Sequence, residues 1–455
     1  MADIQDTVLF DEARVIIREG VKPIAFRWEA VIHANGKDIS TMYVENRDLD
    51  RNYVVNRFDI LHITVAMGPG DYNFDVYPYK DNVEVTLRKI PLNQTSNTEK
   101  REDPIEAQRY RAILMTSGSA LLENNTPVAA DKTMSNNASI QSVQMQLVEP
   151  IVEKLRMVTV GGVYRKSIAA NLIRAMLGYY SKKVSKDATL GVKGVDVAAN
   201  YINAEVESFI IPHSTPLINF PAVIDEICGG VYNGGLGYYL QDQLWYLFPP
   251  YDITRYEKST KSLTIVNLTK DRFPEPEQSY RTTKNQVIIL STAEVKHIDA
   301  SQQALLNQGN GVRFVDASMV LEDFTTVENN KALVNRAKNI SEFIFEKPKT
   351  GLNQIQESES RITTNYAMEY AKLAYRNGSF LQVTWENCNE KLLYPGMPVK
   401  VLYLENAKAK ELYGVLVGVQ STAMAMTPGG APKRHVNKAA LTVFVSRKIT
   451  VTATR

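Results

Sequence analysis

At 455 residues, with 44% apolar and 22% charged positions, the chain is long enough for two to four domains and apolar enough to fill their cores. Its 52 basic and 50 acidic residues nearly cancel, which excludes a uniformly basic nucleic-acid binder but leaves room for a locally basic face. The two cysteines, Cys228 and Cys388, lie far apart; they exclude a dense disulfide scaffold and read as reduced, buried thiols.

The first residues, Met1-Ala2-Asp3-Ile4-Gln5-Asp6, carry neither the basic nor the apolar region of a secretory signal. No run approaches the ~18 apolar residues of a spanning helix. The expectation is a protein made in a cytoplasm, without membrane insertion.

Residues 1–60 read as strands at Thr7–Phe10, Arg14–Arg18, Phe26–Ile32 and Ile39–Val44, with Asn35-Gly36 as a two-residue hairpin turn. Residues 63–90 hold three alternating runs, Ile63/Val65/Met67, Phe74/Val76 and Val83/Val85/Leu87. Turn chemistry separates them at Gly68-Pro69-Gly70-Asp71 and at Pro78 with Asp81-Asn82. The pattern predicts an antiparallel meander presenting an aromatic and basic tip, Tyr77-Pro78-Tyr79-Lys80. A first β-domain over 1–95 is expected, ended by the polar linker 93–98.

Residues 96–215 read as an outer mixed α/β domain. It has a strand at Tyr110–Met115, an exposed loop over 124–139 and helical spacing from Val148 to Leu155. A further helix, which Ser167 can cap, carries Ile168, Leu172, Ile173, Met176 and Leu177. Arg165, Lys166, Lys182 and Lys183 belong to the most basic part of the chain. They read first as the solvated face of an amphipathic helix, and second as a surface for a partner or for passing DNA.

Residues 216–296 form a β-rich aromatic block, a candidate for completing a barrel domain. A short helix at Val223–Ile227 precedes Tyr238, Tyr239, Trp245 and Tyr246 on one β face, and strands at Leu263–Leu268 and Val287–Leu290 follow. Residues 297–360 are polar and read as an arm or linker with a helix over 332–340. Residues 361–455 return to strands at Phe380–Trp385, Val399–Leu404, Tyr413–Val419 and Ala440–Val445, with a long hairpin tip over 427–434. This is a C-terminal β-domain, which the resemblance described below makes the candidate second barrel. The fold class is mainly β with an α/β middle, an α+β fold whose β-domains have the size of a small barrel or sandwich, with outer mixed domains; the same resemblance makes them tube-type barrels.

No catalytic constellation emerges. The five histidines include no pair at metal-ligand spacing, so neither a metal nor a cofactor is expected. The glycines around Gly234-Gly235-Leu236-Gly237 lack the following helix of a phosphate loop, and no Gly-x-Ser-x-Gly elbow occurs. Aromatic side chains are the best functional candidates, because Tyr and Trp bury large area and keep a polar handle at interfaces. Those singled out are Tyr77 and Tyr79 beside Lys80, then Tyr232, Tyr238, Tyr239 and Trp245; each has ordinary core packing as its alternative.

Three blocks, taken in order, resemble the baseplate hub proteins of contractile-tailed bacteriophages. They are Gly70-Asp71-Tyr72 leading to Tyr77-Pro78-Tyr79-Lys80-Asp81-Asn82, the aromatic run 229–256, and Leu393-Tyr394-Pro395-Gly396-Met397-Pro398-Val399 followed by residues 414–419. The resemblance implies a non-enzymatic virion protein of the tail baseplate, synthesised in the host cytoplasm, with two tube-type β-barrels per chain. It implies a homotrimer whose pseudo-sixfold ring joins the tail tube, or a tube-initiator protein, to a threefold spike protein. Wedge proteins would attach outside, and non-specific DNA would pass through the lumen transiently. Two alternatives are a hexameric tube-initiator or distal-tail ring protein, and a tail-associated cell-wall hydrolase.

Overall fold

The computed structural model describes residues 6–21, 25–68, 70–92, 106–115, 140–184, 191–228, 230–232, 235–268, 278–298, 312–316, 343–347, 378–405, 408–426 and 434–446. The fold is mainly β with an α/β middle. Helix α1 (Asp6–Glu19) precedes strands β1 (Phe26–Ala34), β2 (Lys37–Ser40), β3 (Tyr43–Asn52), β4 (Ile60–Met67), β5 (Val83–Pro91), β6 (Glu106–Leu114) and β7 (Gln141–Val148). The middle holds α2 (Pro150–Arg156), β8 (Thr159–Ile168), α3 (Ala169–Val184), β9 (Gly194–Val197), β10 (Glu205–Pro216), α4 (Phe220–Cys228), β11 (Gly237–Gln241) and β12 (Leu244–Phe248). Strands complete the chain: β13 (Ser262–Asn267), β14 (Tyr280–Thr282), β15 (Gln286–Ser291), β16 (Lys296–Ile298), β17 (Val312–Asp316), β18 (Phe343–Lys347), β19 (Gly378–Glu386), β20 (Pro398–Glu405), β21 (Lys408–Ala425) and β22 (His435–Ser446).

Eight strands close a ring in the order β3-β4-β7-β6-β5-β1-β22-β21, and β21 returns to β3. Alternation explains the closure. Ile32, Ile63, Val65, Val85, Leu87, Tyr110 and Met145 fill the interior, while Thr64, Thr86 and Gln144 lie on the outer face. Between β1 and β22 the ladder is a single pair, Phe26 with His435. His435 secures it from both ring nitrogens: the backbone N–H of Trp28 donates to Nδ1 at 3.2 Å, and Nε2 donates to the Val44 carbonyl at 2.9 Å. That pattern needs the neutral imidazole, and burial pushes the ring's pKa down.

The sheet continues past this barrel on both sides of the β21–β22 hairpin. β20, β13, β15 and β14 extend from β21, and β19 and β16 extend from β22, curling until β15 and β19 come into contact. Leu263, Ile265, Ile289, Val383, Trp385, Val401, Leu441 and Val443 pack inside the curl. The Trp385 indole N–H donates to Ser279 Oγ at 3.1 Å, and Ser279 Oγ donates to the Glu386 carbonyl at 2.6 Å, tying the two margins together. The long hairpin therefore serves both cores. Where it passes between them, residues 414–419 of β21 are buried on both faces and a bulge lies between Leu416 and Gly418.

A third core joins α2, α3 and α4 to the β8–β10 ribbon and the β9–β12–β11 sheet, around Leu172, Ile173, Phe209, Phe220 and Trp245.

Several expectations are corrected. Thr7–Phe10 and Arg14–Arg18 are not strands but one helix, α1. Leu9, Ala13 and Ile16 recur at helical spacing and bury against Val266, Ile288 and Leu402. The Phe74/Val76 run is not a strand either; residues Asp71–Val76 form a π-helical turn and Tyr77–Asn82 a 3₁₀ turn. No meander joins β4 to β5, because β4 pairs with β3 and β7 while β5 pairs with β1 and β6. Nor does the first sheet end at residue 95: β6 and β7 complete the ring, since their alternating apolar positions face the same interior. The expected loop 124–139, the helix over 332–340, the Pro274–Glu277 segment and the hairpin tip over 427–433 lie outside the described residues.

Candidate functional site

A cavity of about 360 Å³ opens at one end of the barrel. Its wall is made by the start of β1, the end of β3, the start of β4, the end of β5 and the junction of β7 with α2. Two inserted segments cover it, the β11–β12 turn with Asp242 and the 3₁₀ turn Glu390–Leu392. Asn389 shapes the second turn, its side-chain oxygen accepting from the Lys391 N–H at 3.3 Å.

Charge is buried here in an ordered way. A bulge between Val44 and Asn46 resets the parity of β3, so Arg47, Leu49 and Arg51 all point inward. Arg47 Nη2 donates to Glu390 Oε1 at 2.7 Å, and Ser421 Oγ donates to Glu390 Oε2. Arg51 donates to Asp59 Oδ2 from Nε at 3.0 Å and from Nη2 at 2.7 Å, and its Nη1 reaches the Glu390 carbonyl at 3.4 Å. Asp59 also accepts from the Tyr239 hydroxyl at 3.0 Å.

The two carboxylates respond differently. Burial opposes the charge on Glu390, but Arg47, Arg51 and the Ser421 hydroxyl outweigh it and hold the pKa down at about 2. Burial wins at Asp59, whose pKa is raised despite Arg51. Glu149, half-buried at the rim, is pushed up to about 7, first by burial and then by the negative charges of Asp59 and Asp242.

The sequence-selected residues fall elsewhere. Tyr77 and Tyr79 are 39% and 40% exposed at the opposite end of the barrel, with Lys80 Nζ 5.6 Å from the Tyr77 ring centroid. Tyr232, Tyr238, Tyr239 and Trp245 are corrected from interface to core: none is more than 2% exposed. The Tyr232 hydroxyl donates to the Ala198 and Leu247 carbonyls, and Trp245 Nε1 donates to Ser181 Oγ at 3.2 Å. Burial of this kind leaves no surface for a partner. Arg165, Lys166, Lys182 and Lys183 are exposed on the outer unit, away from the cavity lining. Both cysteines are free thiols; Cys388 is buried, whereas Cys228 is only half-buried.

The cavity residues were not singled out by sequence. Arg47 and Arg51 share the parity of Leu49 and Tyr53, and that inward parity is the signal that marks them.

The geometry defines a class first: a β-barrel fused through a shared hairpin to a second curled sheet, with helices set outside and a charged cavity at one barrel mouth. No family model and no curated protein matches the chain. Among solved structures it is similar to a tail protein of Neisseria meningitidis MC58, at 9% identity, TM-score 0.47, with 91% of this chain and 96% of that chain covered. It is also similar to the 43 kDa tail protein of prophage MuSo2 from Shewanella oneidensis, at 8% identity, TM-score 0.47 and the same coverage of 91% and 96%. A third is an E. coli component of the type VI secretion system described as similar to bacteriophage T4 tail proteins, at 7% identity and TM-score 0.38, covering 92% and 77%.

Proposed function

We propose that the chain is a structural hub subunit of a contractile phage tail, a homotrimer joining a sixfold tail tube to a threefold spike. The observation that carries this reading is the pair of β-units built on one hairpin, β21–β22. Three chains with two such units each supply the six positions that a pseudo-sixfold ring needs. The first barrel would comprise β1 to β7 with the distal hairpin, and the second β13 to β15 and β19 to β20 with its proximal half. Closing sheets into barrels removes most open edges, which suits a component that must not polymerise beyond its ring.

On this reading the exposed Tyr77–Lys80 turn meets a neighbouring subunit or a tube-side partner. The outer unit, with Arg165, Lys166, Lys182 and Lys183, faces wedge proteins or the DNA path. Light scattering on the purified chain tests the assembly. Three copies of the 51.1 kDa chain give about 153 kDa. A six-copy mass would transfer the chain to the tube-initiator class.

A further inference from the structure

The buried network at the barrel mouth leaves specific polar atoms unused. Arg47 is 6% exposed, yet Nε and Nη1 make no hydrogen bond with any described residue. Its guanidinium lies over the Trp28 ring, 4.9 Å from the centroid, and Trp28 Nε1 is likewise buried without a partner among the described residues. A third side chain contributes a fourth such atom, Asn437 Oδ1. The orientation of that amide is set, because Nδ2 donates to the Cys388 carbonyl at 3.1 Å.

All three side chains line the 360 Å³ cavity. Register brings two of them together: Arg47 pairs with Ala423 across β3–β21, and Ala423 pairs with Asn437 across β21–β22. One row of the barrel wall thus runs arginine, alanine, asparagine, and the small central residue leaves space between the two polar ends. Buried donors and acceptors without partners are costly, so a cavity that collects them on one wall is built to be filled. The volume lies at the lower end of the range for small-molecule sites.

The chemistry of the unused atoms specifies the filler. Two donor groups, one of them cationic, demand an oxyanion. The lining carries five basic side chains against four acidic ones, a formal excess of one positive charge. Asn437 Oδ1, however, is an acceptor, and a fully deprotonated anion would repel it. We infer that the cavity binds a phosphate-class oxyanion that retains a proton, with Arg47 and Trp28 donating to its oxygens and its P–OH donating to Asn437. A carboxylate or sulfate, having no such proton near neutral pH, satisfies only the donor half.

The test is calorimetric titration of the full chain at pH 7 with inorganic phosphate, sulfate and acetate, against matched sodium chloride. Phosphate should bind one per chain and about tenfold tighter than sulfate, the factor expected of one buried hydrogen bond to a charged partner. Trp28→Phe retains the ring stacked on Arg47 but not its N–H, and should weaken phosphate severalfold; Arg47→Lys should weaken it further. A second readout does not depend on the variants. In a ¹⁵N spectrum of the indole groups, phosphate should move the Trp28 Nε1–H resonance, while those of Trp245 and Trp385, already bonded to Ser181 and Ser279, stay in place. Heats equal to the chloride control, sulfate binding as tightly as phosphate, or an unmoved Trp28 resonance would each overturn the inference.

Discussion

Replacing Glu390 by glutamine probes the account where the two β-units meet. Glu390 projects from the turn after β19, in the second unit, into the mouth of the first barrel, where Arg47 and Ser421 hold it. Glutamine keeps the shape and the Ser421 partner, but it leaves the 6%-exposed Arg47 guanidinium without a counter-ion. Removing one member of a buried pair costs about 3–5 kcal/mol, because the remaining charge stays desolvated. The depressed pKa points the same way. Depression from 4.5 to about 2 corresponds to about 3 kcal/mol of native stabilisation. Since the folded pKa lies below the unfolded one, this contribution is complete above pH 4.5 and disappears as pH falls toward 2.

Urea denaturation followed by tryptophan fluorescence should therefore show Glu390→Gln less stable by about 3 kcal/mol at pH 7, with the gap closing below pH 4.5. The double variant Arg47→Met/Glu390→Leu should recover most of the loss, because neither charge then remains buried alone. A loss below about 1 kcal/mol, or a gap unchanged down to pH 3, would refute the reasoning.

Three further outcomes are expected. Glu149, with its pKa raised from 4.5 to about 7, binds more protons folded than unfolded, so its contribution is present below pH 4.5 and is lost as pH rises through 7. Glu149→Gln should remove about 2 kcal/mol of pH dependence between pH 5 and 8, checked by urea midpoints at both values. Gly396 has φ +68°, and a methyl there would run into the Phe248 ring. Gly396→Ala should cost about 2 kcal/mol or more in the same assay, from strain and overlap together. Tyr77→Ser/Tyr79→Ser should leave the subunit's stability within about 0.5 kcal/mol, since both rings are well exposed, while lowering the mass measured by light scattering.

The sequence was legible where local pattern and tertiary demand agree. The runs 63–67, 83–87 and 399–404 alternate or stay apolar because their strands have one or two covered faces, and all three are strands. It misled where β-branched residues lie on a helix. Arg14-Val15-Ile16-Ile17-Arg18 reads as a strand by propensity, but the apolar spacing of Leu9, Ala13 and Ile16, covering the outer face of the second sheet, decides in favour of helix. Strand order was beyond local pattern, because β21 and β22 reach the first barrel across more than 350 residues.

The aromatic block shows the other limit: Tyr238 and Trp245 have the composition of an interface, and only their partners reveal a core. The charged cavity was hardest to see. Its Arg47, Asp59, Glu149 and Glu390 come from four separate segments, and only Arg47, by its parity on β3, carries a local sign of burial.

On the proposed hub reading, one chain supplies two similar but distinct positions in a trimeric ring. Class averages from negatively stained particles test it most directly. A hub trimer would appear as a ring with a central hole, strict threefold symmetry and six lobes alternating in shape. A ring of six identical chains with twelve lobes, or a particle with no central hole, would contradict it.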